Sequence, residues 1–343
     1  MNGFYRRFCL SLAILAVSGA SQAYDFDQDA VDAARAEFIE RMVETHDFDR
    51  AELVSLLGEA EIVDSILEAI SRPAERVAPW HEYREIFLTE SRISGGAEFW
   101  FEYDEQIRAA STEAGVAPEM LVAILGVETL YGRRTGSYRV LDSLSTLAFA
   151  YPPRSTFFTS ELEEFLLLVR EEGIDPRETL GSYAGAMGAG QFISSSFRAY
   201  AVDGNGDGRR DLWGDWSDVF ASVANYFKVH GWEQGQSVAA RATLAGNARA
   251  EEPANSMDLT ETVASASQAG YVFATDMPDT APTTVLSLEG KDGQEYWVGY
   301  HNFRVITRYN RSVKYALAAH QLSLEIRAAY EELVAQAGQE SGA

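Results

Sequence analysis

The chain has 343 residues, 46% of them hydrophobic, which is too apolar for a disordered chain and long enough to bury one large core or two. Its 28 Lys and Arg against 52 Asp and Glu give a formal charge of −24, which argues against nucleic acid as a partner. The single cysteine, Cys9, rules out a disulfide framework, and the scattered His46, His81, His230, His301 and His320 argue against a clustered-histidine zinc site.

Residues 1–23 read as a secretory signal. Arg6 and Arg7 form a basic start, Cys9–Val17 an apolar run too short to span a bilayer, and Ser21-Gln22-Ala23 a small-x-small cleavage site. The mature chain then begins at Tyr24 with a charge of −26. Cys9 lies inside the apolar run, not just after it, so it is badly placed for lipoprotein acylation. No later stretch reads as transmembrane, and the mature protein is expected to be soluble and periplasmic.

Residues 25–72 follow a helical pattern (Val31, Phe38, Ile39, Met42, Val43, then Leu53, Leu56, Leu57, Ile62, Ile66, Ile70), broken by Pro73 and Pro79. A helix is expected over 97–115, ended by Gly115, and another over 118–130, opened by Pro118. Residues 142–151, 159–172, 217–230 and 311–337 are also helical in pattern. Between them, 236–300 carries short apolar runs with Thr, Pro and Gly, and strands are expected at 283–288 and 295–300 around Lys291-Asp292-Gly293.

The segment 118–130, PEMLVAILGVETL, is apolar nearly all round and predicts a central buried helix. Glu128 sits in its last turn. Poor solvation and the negative end of the helix dipole would both raise its pKa, as a general acid near neutral pH requires. A carboxylate capping the helix or pairing with Arg133 or Arg134 fits the same residues. Gly132 permits a sharp turn, and Tyr131 is expected to face the same cleft.

At this point the chain resembles the B-type lytic murein transglycosylases, which are lysozyme-like enzymes. Gly126-Val127-Glu128-Thr129-Leu130-Tyr131-Gly132-Arg133 is similar to their catalytic segment. Ala184-Gly185-Ala186-Met187-Gly188-Ala189-Gly190-Gln191-Phe192 is similar to their glycine-rich segment, and Val223–Phe227 with His230-Gly231-Trp232 to the next core helix. Ile306-Thr307-Arg308-Tyr309-Asn310 matches a C-terminal active-site strand, and Tyr151-Pro152-Pro153-Arg154 a turn on the peptide side of the cleft. The resemblance runs in order over about residues 79–325.

The resemblance implies that Glu128 alone protonates the bond between N-acetylmuramate and N-acetylglucosamine. Once ionised, it takes the proton from the muramyl C6 hydroxyl as that oxygen closes a 1,6-anhydro ring. It also implies substrate contacts from Tyr131, Arg154, Ser182, Gln191, Tyr226, Tyr309, Asn310 and Tyr315. No cofactor is required for the chemistry. A hydrolytic muramidase and a non-catalytic murein-binding scaffold are the alternatives. The expected partners are peptidoglycan glycan strands and other murein-processing proteins.

Asp203-Gly-Asn205-Gly-Asp207-Gly208-Arg209 reads as the start of an EF-hand loop, with oxygens at alternating positions, a glycine after the third and the Arg209 carbonyl next. The twelfth position is Gly214 instead of Glu. The resemblance implies a longer loop, 203–218, closed by an acid before the next helix, with Asp218 expected there and Asp215 competing. A structural Ca²⁺ is expected, with Na⁺ as another occupant.

The expected fold is mainly α within the α+β class. A lysozyme-like core spans 80–235 and 301–325, a helical N-terminal layer at 24–79 is joined by a last helix at 326–343, and a small β-rich insertion at 236–300 closes one side of the cleft.

Overall fold

A computed structural model describes residues 26–71, 78–246 and 252–341. The expected export signal, Cys9, the Tyr24 start and Pro73 lie outside the described residues.

The N-terminal run forms three helices, α1 (Gln28–His46), α2 (Arg50–Gly58) and α3 (Asp64–Ser71). Asp47 in left-handed conformation (φ 54) ends the first, and Asp49 caps the second by accepting from the Glu52 N–H. This layer rests on the rest of the core through contacts such as Phe38 on Phe149, ring centroids 5.9 Å apart. Next comes α4 (Trp80–Phe87), which the pattern reading missed although Trp80, Tyr83 and Phe87 are buried at helical spacing. The stretch 97–115 resolves into α5 (Glu90–Glu102) and α6 (Asp104–Ala114), parted at Tyr103. Then α7 (Pro118–Thr129) buries every residue from Met120 to Gly126, as its composition requires.

Strand β1 (Tyr138–Arg139) leads into α8 (Val140–Phe149), a 3-10 turn at Pro152–Arg154 and α9 (Ser155–Glu172). Strand β2 (Leu180–Gly181) pairs antiparallel with β1. Helices α10 (Ser194–Tyr200) and α11 (Trp216–Val229) flank the Asp203 loop.

Strands β3 (Ala239–Leu244), β4 (Glu261–Thr262), β5 (Tyr271–Phe273), β6 (Pro282–Gly290) and β7 (Gly293–Gly299), with α12 (Val263–Gln268), form an antiparallel sheet of order β4-β6-β7-β3-β5. The register pairs Gly290 with Gly293, so Lys291-Asp292 is a two-residue hairpin loop at the expected place. Alternation gives the hairpin two buried faces: Leu286, Leu288 and Trp297 join the main core, while Val285 and Val298 pack with Val263 and Ala266 of α12.

Helices α13 (His301–Tyr309) and α14 (Val313–Ser341) complete the chain. The expected strand at Ile306–Asn310 is a helix: Asn302, Phe303, Val305 and Ile306 are buried at three-to-four-residue spacing, and the Asn302 side chain bonds the backbone of Glu233 and Gln236. Helix α14 is continuous through residue 325. Its later half packs on α5: Ile326 meets Gly96, and Tyr330 stacks on Trp100 at 4.1 Å. No single helix among the described residues is long and apolar enough to cross a membrane.

Candidate active site

Glu128 is half-buried in the last turn of α7. Beyond it the chain passes through three successive left-handed residues, Leu130 (φ 52), Tyr131 (φ 61) and Gly132 (φ 77). Such a conformation costs roughly 1–2 kcal/mol at each non-glycine residue, so the surroundings must enforce it. Tyr131 does this. Its hydroxyl donates to the Arg92 carbonyl at 2.6 Å, and its ring lies 5.3 Å from Phe99. A Cβ at Gly96 or Gly126 would come within 2.5 and 2.7 Å of its oxygen, so both helices need glycine there. Tyr131 is 4% exposed, which corrects the expectation that it faces the cleft: its ring is the wedge that shapes the turn, with no face left for a sugar.

Thr129, 1% exposed, is the junction between this turn and the glycine-rich segment. Its hydroxyl donates to the Ala189 carbonyl at 2.8 Å and accepts from the Gly132 N–H at 3.0 Å. In the segment itself, Gln191 is left-handed (φ 51), and its Nε2 donates to the Thr135 and Gly188 carbonyls, each at 3.0 Å. Tyr309 donates from its hydroxyl to the Gly190 carbonyl at 2.6 Å.

The phenol of Tyr315, 3% exposed, donates to Glu128 Oε1 at 2.5 Å. Burial first, and then the Glu128 charge, raise Tyr309 and Tyr315 well above the ordinary tyrosine range, so both are neutral donors at any working pH. Tyr226 is pushed up to about 12 by burial and by neighbouring Tyr200. Its hydroxyl donates to the Arg308 carbonyl at 2.6 Å, and its ring stands 4.8 Å from Tyr309 and 4.1 Å from His230. Asn310 is half-buried at the end of α13.

The structure therefore brings Glu128, Gln191, Tyr226, Tyr309 and Tyr315 together where the ends of α7, α13 and α14 and the glycine-rich segment meet α11, with Asn310 next to Tyr309 in the chain. Ser182 sits at the edge of that segment, where its hydroxyl accepts from the Ala184 and Ala186 N–H groups. Arg154 is not drawn into the group; it is exposed on the 3-10 turn with its guanidinium 4.5 and 4.9 Å from the Phe157 and Phe158 rings. Sequence reasoning missed Thr129. The signal was there: a threonine beside the acid in an all-apolar helix.

In the Asp203 loop, Asp203 accepts from the Gly206, Asp207 and Gly208 N–H groups, and Asp207 accepts from Arg209. The Asn205 amide nitrogen lies between two carboxylates, 2.7 Å from Asp215 and 3.4 Å from Asp207. An N–H donor bridging two acids marks a place where a hard cation would be welcome, and a turn of that amide offers its oxygen instead. Asp218 differs from its expected role. It is 1% exposed, and its two oxygens accept from the Gly204 and Asp211 N–H groups at 2.7 Å each, so it is a strut that pins both ends of the loop to α11. Burial nonetheless raises its pKa. Asp215, which caps α11 with one oxygen and meets Asn205 with the other, is the acid that faces the loop. No three His, Cys, Asp or Glu among the described residues stand together in a metal-holding group, so the fit depends on the loop's amide and carbonyl oxygens as well as its acids.

The sequence profile of the Transglycosylase SLT domain matches residues 30–324. Membrane-bound lytic murein transglycosylase B of Escherichia coli (strain K12) is 41% identical over 295 residues, covering 83% of this chain and 80% of that protein. The crystal structure of the soluble lytic transglycosylase SltB1 from Pseudomonas aeruginosa shares 48% identity at a TM-score of 0.82, covering 86% of this chain and 98% of the other. The Escherichia coli lytic transglycosylase Slt35 in complex with calcium is 39% identical (TM-score 0.79; 87% and 93% covered). SltB3 from Pseudomonas aeruginosa in complex with NAG-anhNAM-pentapeptide is 27% identical (TM-score 0.77; 87% and 80% covered).

Proposed function

The chain belongs to the SLT-domain lytic murein transglycosylases, enzymes that cleave peptidoglycan glycan strands, and from that membership we propose that Glu128 is its sole acid and base. The observation that carries the reading is the Tyr315 phenol on Glu128 Oε1. A donor on that oxygen holds the carboxyl in one rotamer. The protonated acid gives its proton to the glycosidic oxygen, and the bond to the muramyl C1 breaks with oxocarbenium character. The ionised carboxylate then accepts the C6 hydroxyl proton as O6 bonds to C1. The acid is regenerated and no water enters. A ring closure within one sugar benefits from high effective molarity, which offsets the lack of a second carboxylate nucleophile. Gln191, Asn310, Tyr309 and Tyr226 line the wall that orients the sugar. The NAG-anhNAM ligand held by the SltB3 relative supports the anhydro product.

The Asp203 loop, with Asp203, Asn205, Asp207 and Asp215, holds Ca²⁺ in this reading, as the calcium complex of the Slt35 relative supports. The ion neutralises the loop acids and stiffens the entry to α11, and it takes no part in bond cleavage. Export through the segment at 1–23 places the enzyme in the periplasm with its substrate.

The test is digestion of purified sacculi followed by mass spectrometry. Wild type is expected to release muropeptides ending in the anhydro sugar, one water lighter than reducing-end products. Glu128→Gln is expected to lose at least ~10²-fold in rate, the scale of general acid–base catalysis. Reducing-end products would assign hydrolysis instead, and no product from wild type would remove the enzyme reading.

A further inference from the structure

Glu295 stands on the face of β7 that also carries Trp297, opposite Leu288 of β6, and this face packs on the main core. Its side chain is 14% exposed, and helix α4 surrounds it with donors. Trp80 Nε1–H donates to Oε2 at 3.2 Å, and the Arg84 guanidinium lies 3.7 Å from Oε1. Arg241 of β3 approaches Oε2 at 3.7 Å from the sheet side. One residue along α4, His81 Nδ1 lies 3.2 Å from the Glu289 carbonyl of β6. The helix is thus tied to the hairpin at two levels. On its other side it packs on α14: the Lys314 ammonium, on the residue before Tyr315, donates to the Ala78 carbonyl just before α4. Tyr315 is the residue that holds Glu128.

A leucine at 295 would fill an apolar face as well as a glutamate, and buried ion pairs seldom exceed such an isostere in stability. What the carboxylate adds is a fixed orientation: the Trp80 indole N–H and the Arg84 guanidinium of α4 meet its two oxygens, while Arg241 of β3 holds it from the sheet side. We propose that Glu295 is a positioning residue, which seats α4 on the β-rich part of the chain and so fixes the wall that aligns Tyr315 with Glu128. The inference rests on the reading of Glu128 as the acid.

The experiment measures kcat and KM on soluble, uncrosslinked glycan strands, with Tm, for wild type, Glu295→Ala, Glu295→Gln and Glu128→Gln. Glu295→Ala is expected to lose about tenfold in kcat well below its Tm, since small misplacements of a catalytic group are costly, while KM stays within about twofold because the sugar contacts remain. Glu295→Gln keeps an oxygen for Trp80 and should recover most of the loss. Should Glu295→Ala fail to fold, Trp80→Phe removes the donated hydrogen bond while keeping a ring, and is expected to show the same kcat loss. If Glu128→Gln is inactive but the folded Glu295 and Trp80 variants keep wild-type kcat and lose only Tm, the clamp is a brace and the proposal is overturned alone. If Glu128→Gln still turns over, the reading of the site falls first and takes the clamp with it.

Discussion

Residues 185–191 and 203–211 are both short, glycine-rich loops, yet they are held in opposite ways. The first is held from afar: Ala189 accepts from Thr129, Gly190 from Tyr309, and Gln191 reaches back to Thr135. The second is shaped mostly by its own side chains, with Asp203, Asn205 and Asp207 accepting from N–H groups two to five residues on, while Asp218 pins its two ends to α11. The first loop is largely buried and the second largely exposed. Distant support makes a loop's shape a property of the whole fold, which a wall that must align with one carboxyl requires. Mostly local support between pinned ends leaves carboxylates at the surface where a hydrated cation can reach them.

The contrast breaks first at Gly188. It is left-handed (φ 68), and a Cβ there would lie 2.4 Å from the Leu212 carbonyl oxygen, a backbone atom that has nowhere to go. Gly188→Ala should therefore cost more than ~3 kcal/mol, combining a disfavoured conformation with a backbone clash, and urea titration would read it as a large fall in midpoint. Gly206 is also left-handed (φ 78), but open space surrounds it, so Gly206→Ala should cost roughly 1–2 kcal/mol. Equal losses at the two sites would erase the distinction between distant and local support.

Next in size is Thr129→Val. The change keeps the shape and removes the hydroxyl, leaving the Ala189 carbonyl and the Gly132 N–H without this partner, a loss of about 1–3 kcal/mol. Thr129→Ser restores both bonds. Stability and the rate of muropeptide release should fall together in the valine variant and return together with serine. Full activity in a destabilised valine variant would show that the junction supports the fold without aligning the acid.

Helix α7 was legible because an unbroken apolar run ending in one carboxylate has few solutions, and the β6–β7 hairpin because its turn is short and local. The role of Tyr131 was not legible. Its position after Glu128 suggested the cleft, whereas Gly96, thirty-five residues earlier, makes the slot that takes its ring. The same holds for α13, where Asn302 and Ile306 obey a helical period that a five-residue window around Tyr309 does not display. Asp218 was misplaced for the opposite reason. The resemblance put it at the end of the metal loop, with Asp215 competing, but burial and two backbone donors commit its oxygens elsewhere. Pattern finds what local chemistry decides, and partners distant in sequence decide the rest.

The smallest expected effect tests the exposed loop. If the ion is held by Asp203, Asn205, Asp207 and Asp215, adding Ca²⁺ at about five times its dissociation constant stabilises the chain by about 1 kcal/mol, by mass action on the folded state. For a chain of this size that is a rise in Tm of about 1–2 °C, visible in differential scanning fluorimetry after chelation and readdition. Asp207→Asn keeps an oxygen for the Arg209 N–H but removes a charge from the site, so it should fold normally and lose most of the rise. Because the loop already closes on itself, the chelated protein should keep its muropeptide release, in contrast to Thr129→Val. A chelated enzyme that stops working would mean that the loop, for all its local bonding, governs the wall across α11, and the two regions would then be one mechanical unit.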